Sequence, residues 1–404
     1  MLYASLVTPV HNVTTSGQPA APADGPPVPI LDLAREYAEV GPEIMAAVEA
    51  VFRSQRFVLG PEVAAFEQAA ALRCGAAEAV GCGSGTDALW LAMAAAGVVP
   101  GDRVLTTAFS FFATASSILR LDAVPVLADI DPRTCNLDPA AASLALEGHP
   151  AIRAILPVHL YGQCADWTAL TAVKKLQNCL LIEDAAQAIG ARWDGVPAGS
   201  LGDAAAFSFY PTKNLSAAGE AGMVTTMNSA IARRARSLRT HGMEVRYHHE
   251  EIGWNSRLDT VQAAVLLVKL RHLDAWTERR RALAARYDEL FAVAGVVEAG
   301  PYPERGVILP WIDPRAHHVF HQYVIRVRRR DELRAWLAER GIGSEVYYPL
   351  ALHQQKALAF LGYREGDFPE SERAAREVLA LPIFPQLRDE EQERVVAAVR
   401  DFFN

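Results

Sequence analysis

The chain has 404 residues, 51% hydrophobic and 21% charged, which is an ordinary globular composition. Its formal net charge of −8 leaves no broad basic footprint for nucleic acid or an anionic membrane, though a local phosphate pocket stays open. The length is too great for one compact domain and predicts two.

Residues 1–28 are rich in Pro, Ala, Ser and Thr and read as a loose N-terminal tail. The first basic residue is Arg35, so the start lacks the charged region of a signal peptide. Between residues 76 and 230, strand-like and helix-like runs alternate. Strands are predicted over 104–107, 125–128, 154–158 and 179–182, with helices over 84–96 and 113–120. Short apolar strands joined by helical crossovers imply a mostly parallel sheet covered on both faces. Residues 204–210 and 222–226 read as a later, hairpin-like pair. The longest apolar stretch, 88–99, stops at Pro100-Gly101-Asp102 and is too short to span a bilayer. Five cysteines without CxxC spacing fit a reduced, cytoplasmic setting.

Residues 260–294 form a long amphipathic helical region, with Leu266, Leu267, Leu270 and Leu273 at helical spacing. Its charged segment Glu278-Arg279-Arg280-Arg281 reads as a solvated face. A strand over 322–327 and a helix over 331–340 then suggest a second, smaller α/β domain. The division expected is a tail over 1–28, a large domain over 29–270 and a small C-terminal domain over 271–404.

Chemistry gathers around Lys213, in Ser208-Phe209-Tyr210-Pro211-Thr212-Lys213-Asn214. The strand-like run before it and the Pro-Thr turn place its amine at a sheet edge. Lone lysines are ordinarily solvated, so Lys213 gains meaning only from companions. Asp184 ends the apolar run Leu181-Ile182-Glu183-Asp184, where open α/β sheets bind ligands. Gly83-Ser84-Gly85-Thr86-Asp87 can bring backbone N–H groups and a helix N-terminus to a phosphate. The hydroxyls of Thr86 and Ser208 add donors, and Phe111 offers a flat face. An amine, a carboxylate, a phosphate cradle and an aromatic are what a phosphorylated pyridine aldehyde requires. The glycine loop lacks GxGxxG order, which argues against a dinucleotide fold. His317, His318 and His321 have no matching acid or thiol set, so no metal is expected.

With these motifs in order, the chain resembles the DegT/DnrJ/EryC1/StrS family of sugar aminotransferases, of the fold-type I class. Further matching stretches are Phe57-Val58-Leu59-Gly60-Pro61-Glu62, Pro157-Val158-His159-Leu160-Tyr161-Gly162-Gln163, Asn255-Ser256-Arg257-Leu258-Asp259 and Tyr347-Tyr348-Pro349. The resemblance implies a large domain with a mostly parallel mixed sheet flanked by helices, plus a smaller C-terminal α/β domain. It implies pyridoxal 5'-phosphate as cofactor, bonded covalently to Lys213, with Asp184 on the pyridine nitrogen and Gln187 near the ring hydroxyl. Gly85, Thr86 and Ser208 would hold the phosphate and Phe111 would stack on the ring. Asn255 would reach the phosphate of a neighbouring subunit, which makes a homodimer with shared active sites the working unit.

The reaction implied moves an amino group from L-glutamate to a nucleotide-linked keto-sugar. The stretch around Asn255 is more like that of relatives acting on a 3-keto group than of those acting at C4. His159, Tyr161, His321, Tyr347, Tyr348 and His353 are the polar and aromatic candidates for the sugar pocket. Dehydratase relatives carry histidine in place of the lysine, so Lys213 argues against dehydration. A 4-keto-sugar, a cyclitol, or a regulatory protein that binds the cofactor without turnover are the alternatives.

Overall fold

The computed structural model describes residues 25–404 apart from Pro150, so most of the predicted tail lies outside the described residues. Seven strands form the central sheet. They are β1 (Glu78–Cys82), β2 (Arg103–Thr107), β3 (Val124–Ala128), β4 (Ile152–Leu156), β5 (Leu180–Asp184), β6 (Ala204–Ser208) and β7 (Gly222–Thr226). Their spatial order is β1-β7-β6-β5-β4-β2-β3. The β6-β5-β4-β2-β3 pairs are parallel, and β7 runs antiparallel to both β6 and β1. The expected pair 204–210 and 222–226 is this antiparallel neighbour, in register from Ala205↔Thr225 to Ser208↔Gly222.

The strands read as near-continuous apolar runs because both faces are covered. One face packs Leu105, Ile155, Leu181 and Phe207 against Phe66, Leu258 and Leu266. The other packs Val104, Leu156, Ile182 and Val224 against Leu89, Leu91 and Ile231. Helix α1 (Leu33–Ser54) begins at Asp32, whose carboxylate accepts from Ala34 N and Arg35 N. Helix α2 is Pro61–Arg73, α3 is Gly85–Ala95 and α4 is Ala113–Leu119.

The long helical region of 260–294 is two helices, Thr260–Leu270 and Leu273–Ala294, parted at Arg271 and His272. The second helix carries Leu283, Tyr287 and Phe291 into another core with Tyr323, Ile325, Leu337, Leu381 and Phe384. That core surrounds the antiparallel strands Tyr323–Arg326 and Val378–Leu381. Residues at the start of the described chain join it too. Val28 N donates to Gly341 O at 2.9 Å, and Arg35 pairs with Glu391 at 2.7 Å. All five cysteines are buried and unpaired. Among the described residues no helix is long and apolar enough to cross a membrane.

Candidate active site

A cavity of about 480 Å³ opens where the C-terminal ends of β1, β2, β4, β5 and β6 give way to loops. Tyr347, Tyr348, His321 and Gln322 close it from the C-terminal core. Gly85, Thr86, Phe111, Asp184, Gln187, Ser208 and Lys213 all line it.

The glycine loop turns from β1 into α3 at Ser84, whose side chain accepts from Asp87 N at 3.1 Å. Gly85 and Thr86 therefore open the helix, where N–H groups have no partner within it and the helix dipole favours an anion. Glycine is required at 85 by contact, because a Cβ there would stand 2.5 Å from Ser208 Cβ. That closeness is what brings the Ser208 segment to the helix start.

Asp184 lies at the end of β5 and is 3% exposed. Its Oδ2 accepts from Thr114 Oγ1 at 2.8 Å and its Oδ1 from Ala186 N at 3.3 Å. Burial raises its pKa, opposed by those two hydrogen bonds and by the charge of Lys213. Lys213 follows β6 through a turn in which its N–H donates to Tyr210 O at 2.8 Å. Burial lowers its ammonium pKa to about 8, with the Asp184 charge pulling the other way. His321 is held well below the ordinary imidazole range, first by burial and then by Lys213. Its Nδ1 lies 3.3 Å from Asn214 Oδ1, which ties the ring to the lysine's own loop.

Gln187 joins two walls of the cavity. Its Oε1 accepts from Tyr161 N at 2.6 Å and its Nε2 donates to Tyr348 OH at 3.3 Å. Phe111 is 57% exposed, and its ring centre stands 5.8 Å from that of Tyr348, tilted by 38°. Tyr161 stands behind the wall rather than in it. Its backbone is left-handed (φ 60°), its hydroxyl donates to the Tyr347 carbonyl, and it lines a neighbouring cavity of about 260 Å³.

The remaining residues named from the sequence stand away from the cavity. His159 is 0% exposed, and its Nδ1 accepts from Ala165 N at 3.1 Å. Its Nε2 therefore carries the proton, 3.1 Å from Glu183 Oε2. Glu183 also accepts from Gly199, Leu201 and Gly202 N–H groups. His353 is buried with its Nε2 2.9 Å from Glu372 Oε1 and its ring against Phe368. Both histidines are occupied by neighbouring carboxylates. Asn255 is exposed on the surface, where its backbone bridges Thr240. Among the described residues no group of three or more His, Cys, Asp or Glu could hold a metal ion.

Sequence reasoning missed Thr114, Ser110, Glu220 and Gln322, all of which line the cavity. Thr114 carried a readable signal, since it lies four residues after Ser110 at the start of a predicted helix. Gln322 carried none, because it is brought in by the packing of a distant segment, and Glu220, in the loop between Lys213 and β7, stands in no motif.

The model of the DegT/DnrJ/EryC1/StrS aminotransferase family matches residues 38–400. A pleiotropic regulatory protein of Geobacillus stearothermophilus is 50% identical over 376 residues, covering 93% of this chain and 98% of that protein. A dTDP-3-amino-3,4,6-trideoxy-alpha-D-glucose transaminase of Streptomyces venezuelae is 42% identical over 380 residues, 94% of this chain and 97% of that one. The crystal structure of S. venezuelae DesV in complex with a ketimine intermediate superposes with a TM-score of 0.89 at 42% identity, covering 94% of this chain and 99% of that chain.

Proposed function

The chain belongs to the DegT/DnrJ/EryC1/StrS aminotransferase family, and from that premise we propose that it moves an amino group from L-glutamate to C3 of a dTDP-linked 3-keto-6-deoxyhexose, giving a 3-amino sugar. It is a transaminase, and its family works with pyridoxal 5'-phosphate. The observation that carries the reading is the convergence of Lys213, Asp184 and the first turn of α3 on one cavity.

That donor set fits the cofactor. A buried carboxylate stands ready for a protonated ring nitrogen, and Thr114 and Ala186 N–H keep it oriented. The N–H groups of Gly85 and Thr86, with the Ser208 hydroxyl, suit a phosphate. Phe111 and Tyr348 supply flat surface for a ring. Bound there, pyridoxal phosphate supplies an electron sink that acidifies the Cα–H bond of the amino donor.

The protein's part follows from its own groups. Lys213 Nζ would hold the cofactor at rest and, once displaced, would carry the proton from the donor's Cα to the cofactor in the first half-reaction and from the cofactor to C3 of the sugar in the second. An amine lowered to about 8 is neutral often enough for both duties. Asp184 remains the acceptor for the ring nitrogen. Gln187, bonded to Tyr161 N and Tyr348 OH, fixes the wall beside the ring hydroxyl. His321, Tyr347 and Tyr348 present polar edges for sugar hydroxyls. Asn255, exposed and outside its own chain's cavity, reaches the phosphate bound in a partner subunit, so that the active unit is a homodimer.

Purified protein should be offered glutamate with 3-keto and 4-keto nucleotide sugars, and the products identified by mass and NMR. The reading expects a 3-amino sugar; exclusive amination at C4, or no amination of either, overturns it. The name of the Geobacillus relative raises a second reading, in which the cofactor is held without turnover. In that case no amino donor would shift the cofactor's visible absorbance band.

A further inference from the structure

Residues 254–258 form an extended segment that faces two ways. Its backbone pairs with the turn after helix Ser229–Leu238, Trp254 N donating to Leu238 O at 2.7 Å and Ser256 N to Arg239 O at 3.0 Å. Side chains in an extended run alternate in direction. Ser256 and Leu258 accordingly turn inward, at 2% and 0% exposure, while Asn255, just before Ser256, is exposed.

The inward residues grip the glycine loop of the same chain. Ser256 Oγ accepts from Gly83 N at 3.3 Å and donates to Asp87 Oδ2 at 2.8 Å. Asp87 is in the first turn of α3 and is held from its other oxygen by Arg120 at 2.6 Å. Leu258 lies over Gly81 so closely that a Cβ there would stand 2.7 Å from Leu258 Cδ2. Arg239 completes the grip, with Nη1 donating to Gly81 O at 2.6 Å. The hydroxyl of Ser256 is the link that spans the turn itself, from the strand side at Gly83 to the helix side at Asp87.

We propose that Ser256 is a positioning residue for the phosphate end of the cofactor: it sets the angle between the glycine loop and α3, and so the aim of the Gly85 and Thr86 N–H groups. This rests on the reading that those groups hold the phosphate. Because Asn255 leaves the same backbone on the opposite side, the Ser256 anchor also fixes where Asn255 stands for the partner's phosphate. One residue thus registers two cradles.

The test compares binding of pyridoxal 5'-phosphate with binding of pyridoxal, which lacks the phosphate, to the apoenzyme by absorbance titration. Ser256→Ala and the near-isosteric Ser256→Cys should each weaken pyridoxal phosphate about tenfold, the scale of a lost hydrogen bond in a charged network, and leave pyridoxal unchanged. Ser256→Thr, which keeps the hydroxyl, should recover most of the loss. Equal weakening of both ligands would mean a merely structural role and overturn the proposal, as would no weakening of either. If the unaltered protein itself binds the two ligands equally, the phosphate-cradle reading fails first; if it prefers the phosphate form and both variants keep that preference, only the role of Ser256 falls.

Discussion

Thr114 Oγ1 donates to Asp184 Oδ2 across 2.8 Å, and because that proton is committed, its oxygen accepts from Ser110 Oγ, also 2.8 Å away. The relay ties the start of α4 to the end of β5 and favours the ionised carboxylate, opposing the burial that raises its pKa. Thr114→Val removes the donor and keeps the shape. Hydrogen bonds to charged groups contribute about 1.5–3 kcal/mol, so kcat should fall at least about tenfold. Losing a donor to the ionised form raises the pKa of Asp184 further, so the acid limb of the pH profile should move to higher pH. A limb that stays in place would disconnect Thr114 from the chemistry.

The lysine makes a second pH prediction. Burial lowers the Lys213 pKa to about 8 from 10.5, so the neutral, nucleophilic form is reached at lower pH than for a solvated lysine. The rate at which apoenzyme captures pyridoxal phosphate, followed by stopped-flow absorbance, should rise with pH through a midpoint near 8. A midpoint near the ordinary value would show that the amine is not desolvated. Lys213→Ala and Lys213→Arg should both lose capture and turnover while the cofactor still binds without a covalent bond. Near-normal activity in the arginine variant would remove Lys213 from its role.

Gly85→Ala tests the phosphate cradle from its most crowded point. The added methyl would meet Ser208 Cβ at 2.5 Å and Ser208 Oγ at 2.8 Å, so the helix start and the Ser208 loop must part. Overpacking of this kind costs about 1–3 kcal/mol, which should appear as an about fivefold or greater loss of cofactor affinity at little cost to the distant cores. Unchanged affinity in a fluorescence titration would show that the phosphate does not sit between these two segments.

The residues legible in the sequence were those whose position is set by local rules. Asp184 could be placed because an acid closing an apolar strand emerges at the sheet's C-terminal edge, and Gly85 because small residues precede a helix that needs an open start. The alternation within β5 also separates neighbours: Asp184 lines the cavity while Glu183 turns to the other side. What alternation could not give is the partner of Glu183, and so His159 read as a sugar ligand although it is a buried tie. The break at Arg271 and His272 escaped for a related reason. Neither Gly nor Pro marks it, and apolar spacing continues across it because both helices pack on the protein interior. Gln322 depends on contacts between remote segments, which periodicity does not encode.

The two adjacent acids therefore give opposite expectations. Asp184→Asn should leave stability nearly intact and reduce kcat by about 10²–10³, as removal of one preorganised charge partner does. His159→Ala should do the reverse. It strips a partner from Glu183, which is fully buried and holds three backbone N–H groups of residues 199–202 in place. Leaving a buried carboxylate short of a donor costs about 1–3 kcal/mol or more, read as a lower urea midpoint with an unchanged slope. The surviving folded protein should keep its KM for glutamate and for the keto-sugar. If instead the midpoint held and the sugar KM rose, His159 would have to reach the cavity after all, and the Glu183 contact would need to open for it to do so.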